Sequence, residues 1–580
     1  MNGARGENPE ILLVNSFSPR RRSMSDVFLD NGMAMLRARL GRSGYRVAIE
    51  DANTVDGFAR VSPSTFTRPL RRIAMKMIER RAGKLEIFVF RILQLLLSLV
   101  QAWWTRWLIL AIVRRVRRQN IPVVGVKVWY GDAFRWSEAL VMALRRHCPE
   151  VITIAGGPHA NVYNQDGLIL RHSHFDLAIY GEGEEALEHI VGLVRRGATR
   201  EERLALIRAA SPANVIWRRE GGVNVNPMAF QRVNDKPVPE YTSLAGKARI
   251  HTIVDAMGCD YNKCSFCAHK TIYGSYRRRA PAAVVDEMEA MSQRGIGLFR
   301  FAAGDTPLPQ ASAIAQEIAT RGLKVEFSMF HRAARGAGKR TSELVEGYRL
   351  LIRAGLRAVF MGLETGDDRI NCEILKKNTV AQDTIDTLAA LRKARETEER
   401  PCLLALATIH PVPSGGIPWG DIRRKTREVA LAAQADSVLI APPGVFPGTQ
   451  WYERPEAFGF RLGARYVENL MRYDYVLYKP VELWQDGAYW LDGKSAKEIF
   501  AETARLRCEL EDAGVVTDLG DEDFILMQAA GLRPADYRRE SLADIISCDG
   551  EWSRRIINSV NAKSLALAGA NIGDRLAVDA

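Results

Sequence analysis

The chain is poor in cysteine and histidine, with eight of one and nine of the other in 580 residues. Eight unevenly spaced cysteines cannot staple a chain of this length into a secreted disulfide scaffold. The N-terminus places Glu7, Pro9 and Glu10 ahead of a short apolar run, which is not the basic-then-apolar plan of a secretory signal. A cytoplasmic, reduced-thiol setting is the expectation. The sequence also lacks internal repeats, low-complexity tracts and any recognised nucleic-acid motif. What it does have is 47% apolar and 26% charged residues, enough for ordinary buried cores. At roughly 150 residues per domain its length suits three or four domains.

The formal net charge of +13 is concentrated in one place. Residues 60 to 118 carry 14 Arg or Lys against Glu79 and Glu86, a net of +12, so the rest of the chain is almost neutral. Around this segment, the first 200 residues alternate apolar strands with amphipathic helices, the pattern of a parallel sheet wrapped by helices. Strands are expected at Ile11–Phe17, Tyr45–Asp51, Pro122–Tyr130, Val151–Ala155 and Leu177–Tyr180, with helices near 30–43, 133–147, 160–172 and 183–196. A doubly wound sheet binds ligands beyond the carboxyl ends of its strands. There the sequence places Tyr130, Gly156-Gly157-Pro158-His159 and Gly181-Glu182-Gly183-Glu184.

The fold class expected is therefore α/β: a doubly wound, Rossmann-like domain over 1–200, interrupted by a basic amphipathic helical insertion at 55–120. A connector at 201–245 follows, with a hairpin signal at Glu220-Gly221-Gly222 and an extended Lys236 to Tyr241. Six strand–helix units then indicate a partial (β/α)6 barrel over 246–460, whose chemistry belongs at the strands' carboxyl ends. Residues 461–580 are expected to form a mixed, mostly helical C-terminal domain, with Trp484, Tyr489 and Trp490 as candidates to cap the barrel.

Three of the eight cysteines, Cys259, Cys264 and Cys267, lie within nine residues, directly after the first barrel strand. Thiolates are soft ligands that suit zinc or iron–sulfur clusters. A structural zinc site normally takes four protein ligands, and C-x4-C-x2-C is also the plant-type ferredoxin spacing, which needs a fourth cysteine. The next cysteine, Cys372, is 105 residues on. Three thiols alone favour a 4Fe–4S cluster with one open iron.

This arrangement resembles the radical S-adenosylmethionine (SAM) superfamily, and the resemblance continues through Phe266, Gly304-Asp305, Gly362-Leu363-Glu364-Thr365-Gly366, Leu375 to Thr379 and Pro447-Gly448-Thr449. The first loop is one residue longer than the superfamily's usual C-x3-C-x2-C. The N-terminal domain resembles the cobalamin-binding domain fused to one branch of that superfamily, on Gly156 to His159, Gly181 to Glu184 and the Arg218 to Tyr241 connector. The resemblance implies that Cys259, Cys264 and Cys267 hold the cluster. It assigns Phe266, Gly304, Asp305 and Glu364 to the SAM side, and Tyr130 with the two glycine loops to cobalamin. No histidine stands in the loop after the first strand, so cobalamin is expected without a histidine lower ligand.

The function implied is a cobalamin-dependent radical SAM methyltransferase acting on an unactivated carbon of a natural-product, lipid or peptide substrate, with flavodoxin or ferredoxin as electron donor. A cyclase or ring-rearranging enzyme with the same cofactors is the alternative, and a non-catalytic cobalamin or Fe–S sensor the alternative of another class. His159 can equally cap its helix, and His331, Arg332 and His410 sit at strand ends with either a substrate or a packing role. In the insertion, Arg91, Gln94, Ser98, Gln101 and Thr105 recur at helical spacing as one polar stripe in an otherwise apolar segment. Its longest uncharged run, Ile92 to Thr105, is 14 residues, which argues against a transmembrane span. The readings kept are a helical hairpin packed on the sheet domain, or a peripheral contact with the inner membrane face through 60–118; nucleic acid is not expected.

Overall fold

A computed structural model describes residues 8–21, 23–79, 81–473 and 486–578, with side chains through 571. The chain divides into two units, one built chiefly on Met1–Lys247 and also holding Ala543–Glu551, the other chiefly on Ala248–Asn469.

In the first unit, strands β1 (Ile11–Asn15) and β2 (Val47–Glu50) flank helix α1 (Asn31–Arg42). The insertion follows as α2 (Val55–Val61), α3 (Ser64–Ile78) and α4 (Lys84–Arg118). The sheet resumes with β3 (Val123–Lys127), α5 (Asp132–His147), β4 (Ile152–Gly156), α6 (Pro158–Val162), α7 (Leu168–Arg171), β5 (Leu177–Ile179) and α8 (Glu184–Val194). Strand order is β2-β1-β3-β4-β5, all parallel. This is the doubly wound sheet expected from the alternation of apolar strands and amphipathic helices.

Two details differ from the sequence reading. The helix expected over 160–172 is split, because Asp166 and Gly167 adopt φ of +50° and +66°, outside the right-handed helical region. The expected connector is largely part of the sheet domain. After α9 (Arg200–Ala210), the hairpin β6 (Val215–Arg219) and β7 (Gly222–Val225) adds antiparallel to β5, extending the sheet to seven strands. The hairpin signal was local; its docking on β5 follows from burying Val215 in the core beside Leu177 and Ile179, with Trp217 packed against them.

The second unit is a six-stranded parallel sheet whose strands, Ile250–Ile253, Leu298–Phe301, Glu326–His331, Leu356–Glu364, Leu403–Ile409 and Ser437–Ala441, lie side by side in chain order. They are referred to below as the first to sixth barrel strands. Proline opens two of the intervening helices, at Pro281 and in Leu308-Pro309, where its fixed φ suits the first turn and its missing N–H costs nothing. Gly355, at φ +116°, turns the chain from helix into the fourth strand, and a Cβ there would lie 2.1 Å from the Val325 carbonyl oxygen. Helices Ala496–Asp512 and Asp521–Ala529 follow, within the region expected to be mostly helical.

Tyr489 is a core residue, buried against Phe460, Tyr466 and Phe500 with its hydroxyl donating to the Pro443 carbonyl at 3.0 Å. Trp490 stacks on Arg461. Trp484 lies outside the described residues.

Candidate functional site

At the carboxyl edge of the first sheet, register places Asn15, Lys127 and Gly156 side by side on β1, β3 and β4. Lys127 pairs with Asp30 at 2.5 Å, and Asn15 donates to Asp51 at 3.1 Å, which also pairs with Lys247 at 2.6 Å. Burial opposes the charge on Asp30, but Lys127 outweighs it and holds the carboxyl below its ordinary range. This polar row was not legible in the sequence, because its members are spread from Asn15 to Lys247.

The glycine loops stand beside it. Gly157 adopts φ +86°, and a Cβ there would come within 2.8 Å of the Lys127 side chain. Gly181 adopts φ +68°, with Asn214 2.9 Å from where a Cβ would stand, and its N–H donates to Asn161 at 2.8 Å. Gly156 has open space where a Cβ would be. Together they leave bare backbone at the strand ends, the surface a large flat cofactor needs.

Trp129 and Tyr130 stand half-exposed beside them, in edge-to-face contact. His159, by contrast, is buried against Phe134 and Tyr163. The carboxylates of Glu182 and Glu184 turn toward the connector, where Lys236 lies 3.4 and 2.8 Å away. All three side chains are buried. These two acids therefore anchor the connector to the loop that Gly181 and Gly183 shape.

In the barrel unit, the cysteine loop leaves the first strand through Gly258 at φ +84°. Three sets of bonds fix it. Asn262 donates to the Gly274 carbonyl at 2.8 Å; Tyr261 and Ser265 bond the backbone of Ile374, Leu375 and Lys376; Thr271 donates to the Gly448 carbonyl at 2.6 Å. The motif after the fourth strand and the one after the sixth thus clamp the loop that carries the thiols. Phe266 packs on the buried Trp451, with ring centroids 5.8 Å apart.

Burial pushes the Cys264 thiol up to about 12 and Cys267 up to about 11, and raises Cys259 as well. Cys264 feels Cys259, Cys267, Glu364 and Lys377, and Cys267 feels Cys259, Glu364 and Lys377, so groups from three segments lie near one another. Among the described residues, no three His, Cys, Asp or Glu side chains are gathered tightly enough for a single metal ion. Three thiols on one loop suit the larger frame of a 4Fe–4S cluster, and the donor set fits it.

Glu364 ends the fourth strand at a register break and at φ +66°, an uncommon conformation for a residue with a side chain. Lys377 holds it there, bonding the Glu364 carboxylate and donating to the Gly362 carbonyl at 2.7 Å. A Cβ at Gly362 would lie 2.3 Å from that carboxylate and 2.5 Å from the ammonium, so glycine is what lets the pair form. Asp305 accepts from the Arg332 N–H at 3.0 Å, while the Arg332 side chain bonds the Lys377 carbonyl and stacks on Tyr261. Arg332 therefore ties the second, third and fourth strand ends to the cysteine loop.

Gly304 lies against His269: a Cβ at 304 would be 2.2 Å from the imidazole. Asp255, fully buried, accepts from the Ala303 N–H at 3.0 Å and the Thr306 hydroxyl at 2.8 Å, and burial pushes its carboxyl up to about 6. His331 and His410 have packing roles. The first bonds Tyr348 at 2.9 Å and the second approaches Glu502 at 3.4 Å, both buried.

The two folds are those of a B12-binding domain followed by a radical SAM domain. Residues 100–191 match the family model of the B12 binding domain, and residues 253–407 that of the Radical SAM superfamily. Among curated relatives, the anaerobic magnesium-protoporphyrin IX monomethyl ester cyclase of Cereibacter sphaeroides is 26% identical over 261 residues, 42% of this chain and 40% of that one. The protein of the same name from Rubrivivax gelatinosus is 24% identical over 253 residues, 40% of this chain and 42% of that one. The matched region spans about two-fifths of the length of each.

Among solved structures, the radical S-adenosylmethionine methyltransferase TsrM from Kitasatospora setae, with cobalamin and a 4Fe–4S cluster bound, aligns with TM-score 0.59 and 16% identity over 92% of this chain and 98% of that one. The cobalamin-dependent S-adenosylmethionine radical enzyme OxsB, with aqua-cobalamin and S-adenosylmethionine bound, aligns with TM-score 0.53 and 14% identity over 88% and 62%. These likenesses establish the fold.

Proposed function

We propose that this protein is a methyltransferase that moves a methyl group from SAM, through cobalamin, to an unactivated carbon of a natural-product, lipid or peptide substrate. The observation that carries the reading is the gathering of the three thiols at the barrel's carboxyl end, Cys264 and Cys267 beside the Glu364–Lys377 pair and Cys259 beside Asp305 and Arg332. Bound together, the cluster, SAM and cobalamin supply radical generation and methyl carriage, chemistry that no side chain provides. The chain's part is to hold and orient. The three thiols ligate iron. Asp305, aligned by the Arg332 N–H, and Glu364, fixed by Lys377, are the carboxylates offered to the hydrogen-bond donors of SAM. Gly156, Gly157 and Gly181 keep side chains off the face offered to the corrin.

The electron donor in this reading is a low-potential flavodoxin or ferredoxin, and the setting is the cytoplasm. The whole-chain alignment with a methyltransferase favours methyl transfer. The names of the sequence relatives favour a second reading, a cyclase with the same cofactors.

Anaerobic reconstitution with iron, sulfide, hydroxocobalamin and a reductant, followed by assay of SAM products, separates the two. Methyl transfer yields S-adenosylhomocysteine together with 5′-deoxyadenosine. 5′-Deoxyadenosine with a ring-closed product and no S-adenosylhomocysteine replaces this reading with the cyclase. Undiminished SAM cleavage by Cys264→Ala removes the cluster assignment.

A further inference from the structure

Helix α4 is inside-out for a protein in water. The two glutamines of its polar stripe face the protein: Gln101 is buried and donates to Ser62 at 3.0 Å, and Gln94 reaches the Ile546 carbonyl at 3.4 Å. Beside them Phe90 and Leu97 join Leu70 and Ala74 of α3 in a small core of their own. The opposite face is apolar and exposed. Leu85, Phe88, Ile92, Leu95, Leu99 and Trp103 follow one another at three- and four-residue steps, with Trp107 and Leu110 continuing the line. At 1.5 Å per residue this stripe runs for about 38 Å, far beyond the scattered apolar residues of an ordinary surface.

The cations sort in the same way. Arg71 lies 3.6 Å from Asp544 and Asp549, Arg68 pairs with Glu551, and Arg115 pairs with Glu50 at 2.7 Å, all toward the protein. Lys84, Arg91, Arg106, Arg114, Arg117 and Arg118 are exposed and make no ion pair among the described residues. Arg114, Arg117 and Arg118, with Ala111 and Arg115, line an open cleft of about 640 Å³ at the end of the apolar stripe.

We propose that α4 docks this protein in the plane of an anionic lipid bilayer. Its apolar face would enter the acyl boundary, Trp103 and Trp107 would sit at headgroup level, and the arginines would meet lipid phosphates. By length and composition α4 is apolar enough to cross a membrane, so the short uncharged run does not by itself exclude a span. Packing opposes it: the inward face is committed to α3 and to Ser62, and a spanning helix would have to leave both. A second copy on the same face is disfavoured by charge. The helix's single acid, Glu86, is engaged by Lys76 and the Gly83 N–H, so two such faces would meet cation to cation.

The test is flotation of the full-length protein with vesicles of phosphatidylcholine alone or with 30% phosphatidylglycerol. The expected result is at least tenfold more binding to the anionic vesicles, reduced by salt. Leu99→Glu/Trp103→Glu should lower it at least tenfold, and Arg114→Glu/Arg117→Glu/Arg118→Glu should abolish the lipid preference. Equal binding by the Leu99→Glu/Trp103→Glu protein overturns the proposal. So does a parent dimer that ignores vesicles and becomes monomeric in that variant, which would make the face a protein interface. Retention through an alkaline wash would replace in-plane docking with a span. If a variant fails to fold, the parent decides alone: bilayer insertion requires brominated lipids to quench its tryptophan fluorescence, and no quenching refutes it.

Discussion

Replacing Gly304 with alanine isolates one steric term at the candidate SAM site. The backbone of Gly304 is not in the left-handed region, so alanine carries no conformational penalty there. The whole cost comes from the new methyl, which would stand 2.2 Å from the His269 ring, where van der Waals contact requires about 3.5 Å. The imidazole is mostly buried beside Tyr273 and must be displaced by more than an ångström. Overpacking of this kind costs about 1 to 3 kcal/mol. His269→Ala removes the obstacle, so Gly304→Ala/His269→Ala should be more stable than the sum of the single changes predicts, by about 1 to 2 kcal/mol. Urea denaturation followed by circular dichroism measures all four corners of the cycle. Additivity within about 0.5 kcal/mol would refute the close approach of the second strand end to the segment after Cys267.

Lys377→Met leaves the buried Glu364 carboxylate unpaired and should destabilise the chain by about 3 to 5 kcal/mol, with most of the loss recovered in Glu364→Gln/Lys377→Met, again read by denaturation. Asp255 titrates near 6 when folded against 3.8 for an ordinary aspartate, so the native state holds the extra proton between those values. Parent stability relative to Asp255→Asn should therefore be greatest below pH 4 and fall by roughly 3 kcal/mol as pH rises through 6; a flat difference would show that Asp255 is not buried as described. Gly157→Ala combines a φ of +86° with a 2.8 Å approach to Lys127 and should cost about 1 to 2 kcal/mol. It should also weaken cobalamin binding in a spectrophotometric titration, while Gly156→Ala, which meets open space, should cost under about 0.5 kcal/mol.

Much of the fold was legible because its signals are local. The six barrel strands and the five parallel strands of the first sheet fall where apolar runs between helical patterns place them. The cysteine cluster and the glycine loops were likewise visible as short motifs. What supports them was not. Lys377 belongs to a motif quoted for resemblance, yet its bond to Glu364 depends on a register break at the end of the fourth strand. Asp255, Arg332 and His269 act across segments distant in sequence, as in the bonds that Asp255 accepts from Ala303 and Thr306. Glu182 and Glu184 stand in a candidate cofactor loop but pair with Lys236, which no spacing rule links to them.

The sequence by itself determined the order of the elements, the three thiols on the first barrel loop, and the concentration of charge between residues 60 and 118. Periodicity also showed that α4 has a polar and an apolar stripe. Only the tertiary structure decided which stripe faces inward, because a helical period is a property of one segment and its orientation depends on what that segment packs against. Here α3, Ser62 and Ile546 take the side of the two glutamines, leaving outside the apolar residues and six cations that make no ion pair among the described residues. The same distinction holds at the barrel mouth: spacing named the candidate ligands, and packing decided which carboxylates stand beside them.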